Sequence, residues 1–174
     1  MLHRSWGRAI AAAAILCAPL FGGDYDRLFD TVKELWPDRS VAMALCDKDA
    51  NQFALIDLAD TAKARNISLI IVDCREEKEY NRVMVNALAR NPGFVLIIDE
   101  DPLLGAKGRL TSRMVYRLQG RSVPAVGISK HCIEQGAVLA VGAGAGDPIF
   151  ASKELATRMS LPLPAKFTDP LAKK

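Results

Sequence analysis

"FVLIIDEDPLLG" (residues 94–105) runs five apolar residues, Phe94 to Ile98, directly into three acids, Asp99, Glu100 and Asp101, followed by a proline and later a glycine. An unbroken apolar run of this length suits a strand buried on both faces, as in a parallel sheet. The acids then mark where the chain leaves the core for water.

The segments around it repeat the pattern. "SVAMALC" (40–46), "ISLIIVDC" (67–74), "SVPAVGIS" (122–129) and "AVLAVGAG" (137–144) read as strands alongside "GFVLIID" (93–99). Helical spacing predicts helices over 25–36, 50–65, 76–91, 109–120 and 147–159, with "KHCIEQG" as a single helical turn. Pro37 stops the first helix, Gly120 ends the fourth, and Pro148 suits the first turn of the last. The inward faces expected are Leu28, Phe29, Val32, Leu35 and Trp36; then Phe53, Ile56, Ala59 and Ala62; then Tyr80, Val83, Met84, Ala87 and Leu88.

Short apolar strands alternating with helices predict βαβ units with right-handed crossovers. The expected fold is a single α/β domain, a doubly wound three-layer α/β/α sandwich on a parallel five-stranded sheet of order 2-1-3-4-5. It spans 24–160, and the proline-bearing stretch 161–174 reads as an extended tail.

Residues 1–23 differ. His3, Arg4 and Arg8 precede "AIAAAAILCAPLFGG", an acid-free start that reads as a secretory signal and predicts a periplasmic or secreted protein. An uncleaved membrane anchor is the alternative, and Leu16 before Cys17 is a poor fit to lipidation. Without these residues 21 Lys and Arg (23 minus Arg4 and Arg8) face 20 Asp and Glu, so the chain carries no nucleic-acid footprint. Aromatics are few, which argues against base-stacking surfaces.

In a doubly wound sheet, ligands bind outside the carboxyl ends of the strands, near the point where strand order reverses. The strands here end in Asp47, Lys48 and Asp49; in Asp73 and Arg75; in Asp99 to Asp101; and in Ser129 and Lys130. Each ending is also what any buried strand needs on leaving the core. Asp101 before Pro102 reads either as a ligand contact or as a turn cap. Lys130 reads as a partner of Asp99 or Asp101, or as a ligand contact. His131 has no motif-placed nucleophile beside it, so no catalytic set is expected. Cys46 and Cys74 end neighbouring strands, as a disulfide or as two buried thiols, and no metal-binding spacing exists. "GAGAGDP" (142–148) lacks a lysine and follows the last strand, so it reads as a bend and not as a phosphate loop. No nucleophile elbow, Walker loop or dinucleotide fingerprint is present.

The order of the pieces resembles the substrate-binding family of ABC transporters, exported proteins with the type I periplasmic-binding fold. "LFDTVKELWPDRSVAMALCDKDANQFALIDLADTAKARNISLIIVDC" is similar to that family's helix, strand, helix and strand. "VLIIDEDPLL" resembles its strand ending in an Asp-Pro or Asp-Asn step, and "SVPAVGISKHCIEQGAVLAVGAG" its "IPV…S…GA" segment. The likeness covers roughly residues 28 to 157 and only the second of the family's two lobes. It implies that Asp101, Ser129 and the loop Asp47–Asn51 face a cleft. The expected ligand-binding set is therefore Asp101, Ser129, Asp47, Asn51, Asp99 and Lys130, with no cofactor, no metal and no catalysis. Expected partners are a small solute such as an amino acid and an ABC permease or other protein, with a homo-oligomer left open. Two other classes remain: a phospho-receiver-like domain using Asp47, Asp49, Asp99 and Ser129 but lacking the lysine after strand five, and a small exported enzyme.

Overall fold

The computed structural model describes residues 23–142, 144, 146–164 and 167–171. The signal-peptide expectation falls on residues that, up to 22, lie outside this set. Among the described residues no helix is long and apolar enough to cross a membrane.

The elements are α1 (Gly23–Leu35), β1 (Val41–Cys46), α2 (Gln52–Ala64), β2 (Ser68–Asp73), a 3-10 turn (Glu77–Glu79), α3 (Tyr80–Leu88), β3 (Phe94–Leu96), α4 (Thr111–Gln119), β4 (Ala125–Gly127), α5 (Lys130–Glu134), β5 (Leu139–Val141), β6 (Ile149–Ala151) and α6 (Lys153–Arg158). They form one sheet of order β2-β1-β3-β4-β5-β6. The first five strands are parallel in the order expected. β3 is shorter than expected, yet Ile97 N still donates to Val126 O (2.8 Å) and Ile98 stays buried.

Period-2 alternation along the strands divides the core in two. Ala42, Ala44, Cys46, Phe94, Leu96 and Ile98 pack with α1, α2 and α6 on one face. Met43, Leu45, Val95 and Ile97 pack with α3, α4 and α5 on the other. Cys46 and Cys74 fall in opposite clusters. They therefore do not form a disulfide: both are free thiols, though Cys74 N donates to Cys46 O (3.0 Å).

Three expectations need correcting. The last helix does not begin at Pro148. Ile149–Ala151 turns back as β6, antiparallel to β5, with Val141 opposite Ile149. Arg27 of α1 holds the glycine bend that permits the reversal, donating to Gly144 O (2.7 Å) and Asp147 O (2.7 Å). Helix α6 starts only at Ser152, whose hydroxyl accepts from Leu155 N (3.4 Å), an ordinary N-cap.

The stretch after 160 is not a detached tail. Thr168 bridges Phe150, with Ala151 N donating to Thr168 O (2.9 Å), and Phe167 is buried.

Helix α2 buries Leu55, Leu58, Thr61 and Ala62, while Phe53 and Ile56 are exposed and Ala59 faces water. The faces of α1 and α3 are as read, with Leu88 half-buried.

The docked C-terminal stretch gives a direct test. Phe167→Ala should lower unfolding stability by roughly 2–4 kcal/mol, the scale of deleting a buried aromatic side chain. Denaturant melts measure the loss, and hydrogen exchange should speed up at the Ala151 amide. Wild-type stability would mean that the stretch after 160 is peripheral to the fold.

Candidate functional site

The sheet reverses direction between β1 and β3, where β1 leads into α2 on one face and β3 into α4 on the other. The carboxyl ends of these strands converge on Asp101. Its Oδ2 accepts from Asp47 N (2.8 Å) and Asn51 Nδ2 (2.8 Å), and its Oδ1 from Leu103 N (3.0 Å) and Leu104 N (2.7 Å). Asp101 is only 3% exposed. Of the two readings of Asp101 the turn cap is the one the structure displays, as a buried knot: the turn after Pro102 and the end of β1 both donate to it.

The loop after β3 is compact because Gly105 lets three carbonyls close in. A Cβ there would lie 2.5 Å from the oxygens of Asp99 and Asp101. Ala106 N returns to Asp99 O (3.1 Å), and Thr111 Oγ1 donates to Gly105 O (2.6 Å).

The neighbouring acids are partly neutralised. Asp47 Oδ1 accepts from Asp49 N and Ala50 N (2.9 and 3.1 Å), closing the turn that leads into α2. Arg75 pairs with Asp49 and donates through Nε to Asp73 Oδ2 (2.8 Å). These contacts engage Asp47 and Asp49, the acidic pair a receiver-like site would use, and among the described residues no group of three His, Cys, Asp or Glu is placed to hold a metal.

Lys130 does not pair with Asp99 or Asp101 as expected. It lies 3.6 Å from Glu134 one turn along α5 and is exposed. Ser129 caps α5 through its backbone, and its hydroxyl lies 3.7 Å from Cys132 Sγ. Asn51 is buried behind Asp101.

What stays open is a depression of about 210 Å³ lined by Asp99, Glu100, Asp101, Pro102, Ala106, Lys107 and His131. Of the six expected site residues, Asp99 and Asp101 line it; Ser129, Lys130, Asp47 and Asn51 do not. Glu100, Lys107 and His131 were not in the expected set. The first two lie in or just past the quoted stretch and could have been read from it as charges left facing water.

Glu100 and Lys107 enter no ion pair among the described residues. His131 Nδ1 sits 2.9 Å from Glu134. Cys132 donates its thiol to Asp99 Oδ1 (3.2 Å). Burial, then the nearby Asp99, pushes that thiol up to about 12. Burial, then Asp101, does the same to Cys46, and burial with Glu79 pushes Cys74 up to about 11. Near neutrality all three are therefore held as thiols, the less nucleophilic form.

No protein-family model matches the chain, and no curated protein is matched. Among solved structures it is similar to a conserved domain protein from Vibrio cholerae (14% identity, TM-score 0.65, covering 80% of this chain and 56% of that one). An ABC domain from Streptococcus pneumonia in complex with L-Trp aligns at 10% identity and TM-score 0.67, over 82% of this chain and 58% of that one. The ligand-free, open structure of CD0873, a substrate binding protein with adhesive properties from Clostridium difficile, aligns at 11% identity and TM-score 0.68, over 83% and 59%. The chain thus spans less than two thirds of each neighbour's length and has the fold of a single lobe of the periplasmic-binding type.

Two measurements follow from the geometry. Asp101→Asn replaces an acceptor for four donors with a group that is itself half donor. It should cost about 2–4 kcal/mol of stability, the scale of a broken buried charged hydrogen-bond set, while Asp99→Asn should leave the melt nearly unchanged. Similar melts for both would show the knot to be dispensable. The thiols should resist iodoacetamide in the folded protein and react once it is unfolded. Their folded values lie above the ordinary 9.0, so the unfolded chain deprotonates first and stability should decline as pH rises above about 9. Fast labelling of Cys46 or Cys132 in the native state would contradict the burial.

Proposed function

We propose that the chain is a solute-binding module that performs no catalysis, and that its solute is a small zwitterion such as an amino acid. The carrying observation is the mixed lining of the depression at the switch point, where the carboxylates of Asp99 and Glu100 and the ammonium of Lys107 share one wall with His131 and the buried Asp101. A carboxylate pair is complementary to an ammonium group, and Lys107 to a carboxylate. The volume suits a small solute, below the usual range for drug-sized ligands. The neighbour bound to L-Trp and the neighbour titled a substrate binding protein lend support at the level of fold.

Export by the N-terminal leader and work alongside an ABC permease belong to the same reading. They rest on the basic, apolar character of residues 1–23 and on the sequence resemblance. Ser129, Asn51, Asp47 and Lys130 then act as the rim and backing of the site, not as its direct contacts.

Thermal shift with the common amino acids tests the binding, since a ligand of the folded state alone raises the melting temperature. At least one should stabilise the protein, and Asp99→Asn or Lys107→Gln should weaken its binding by about tenfold, the scale of one charge-assisted hydrogen bond. No stabilisation by any of them, or unchanged binding in both variants, would sink the reading. Mass spectrometry of the periplasmic fraction should find a chain lacking roughly its first 20 residues; an intact Met1 confined to the cytoplasm would remove export.

A further inference from the structure

At the opposite edge of the sheet, where β1, β3 and β4 begin, lies a larger hollow of about 370 Å³. Its polar wall is Arg39, Asn91, Arg121 and Ser122, and its apolar wall includes Leu88 and Val123. No carboxylate lines it. Arg39 enters from the residue pair before β1. Its Nη1 donates to Gly93 O (2.6 Å) and its Nη2 to Ser122 O (3.4 Å), so its acceptors are neutral carbonyls. Burial pushes this guanidinium below its ordinary value. Arg121 reaches the hollow from just past α4 and is exposed. Neither arginine enters an ion pair among the described residues.

Arg117 and Arg113 precede Arg121 by one and two helical turns along α4. Arg113 and Arg117 sit over the Tyr80 ring and donate to Asn81 Oδ1, another neutral acceptor. Asn91 and Ser122 both hold positive φ (49° and 53°), which turns the chain tightly at the rim.

We propose that this amino-edge hollow is a second ligand site that takes an oxyanion, a carboxylate or phosphate group, between Arg39 and Arg121. Arg39, fixed by its two carbonyls, presents a preset charge, and Arg121 closes over the anion as the mobile second arm. The bland account is that Arg121 merely offsets the carboxyl end of α4, where any cation is stabilising.

The two accounts separate by titration. Amide NMR spectra of the whole chain are followed against inorganic phosphate and, separately, acetate, with chloride holding ionic strength constant. Saturable shifts at Asn91, Ser122 and Val123 are expected, weakened about tenfold or more in Arg121→Gln, the scale of one lost charge-assisted contact. Tighter phosphate binding would identify a phosphorylated ligand, and equal or tighter acetate binding a carboxylate. Arg39→Gln should abolish the shifts. Arg39 is half-buried, so the exposed Arg121 keeps the test decisive should the Arg39 variant fail to fold. Linear, unsaturable shifts would overturn the site. So would wild-type affinity in Arg121→Gln, with or without a lowered melting temperature.

Discussion

One carboxylate carries the geometry of this fold. At the switch point β1 and β3 lie side by side, but their following segments leave for opposite faces of the sheet. Backbone N–H groups are stranded where they part, at Asp47 on one side and at Leu103 and Leu104 on the other. Asp101 collects all three, and the Asn51 amide as well. A buried carboxylate without donors would be heavily penalised; with four, it becomes the cheapest way to close a seam that no strand ladder can close.

The same knot explains which face of α2 turns inward. That helix is apolar on more than one side, so spacing alone allows either Phe53 with Ile56 or Leu55 with Leu58 to be buried. Asn51, fixed to Asp101, lies on the same face as Leu55, Leu58 and Ala62. The phase is therefore set by a polar contact fifty residues away in sequence, which helical periodicity cannot report. The strand order, the parallel pairing and the inward faces of α1 and α3 were legible, because each is a local apolar pattern plus the handedness of crossovers. Strand β6 was not, since Pro148 and the following apolar residues fit a helix start as well as a turn back. Only the Arg27 contacts and pairing with β5 decide it. At the candidate site the sequence placed the acids on the right edge. It could not tell a carboxylate sealed inside the turn, Asp101, from one left at the surface, Glu100, because both sit in the same three-residue burst.

Charge is sorted along the strand axis. In a parallel α/β sandwich the helix amino ends gather at the carboxyl edge of the sheet and the helix carboxyl ends at the other. Asp47, Asp49 and Asp73 accordingly crowd the first edge, and Arg39 and Arg121 the second. Much of this segregation is structural compensation, and Arg75 is shared between two of the acids, Asp49 and Asp73. What distinguishes a binding surface from such compensation is charge left without a partner. Among the described residues Glu100 and Lys107 at one edge, and Arg39 and Arg121 at the other, enter no ion pair, so the two proposed sites hold charge that this compensation does not absorb.

Both surfaces are walls and not enclosures, which limits what they can do by themselves. At the carboxyl edge Glu100 and Lys107 are exposed and Asp99 is half-buried, so these charges act through a high effective dielectric. Their attraction for a solute is then a fraction of what the same groups would exert in a closed cleft. The solved neighbours are longer than this chain, which spans 56–59% of them. A surface laid against the carboxyl edge would exclude water from these charges and strengthen their electrostatic pull without any change in the residues themselves. The buried Asp101 knot suits such a role: it holds the two strand ends rigid, so the exposed charges beside it stay preorganised whether or not a second wall is in place.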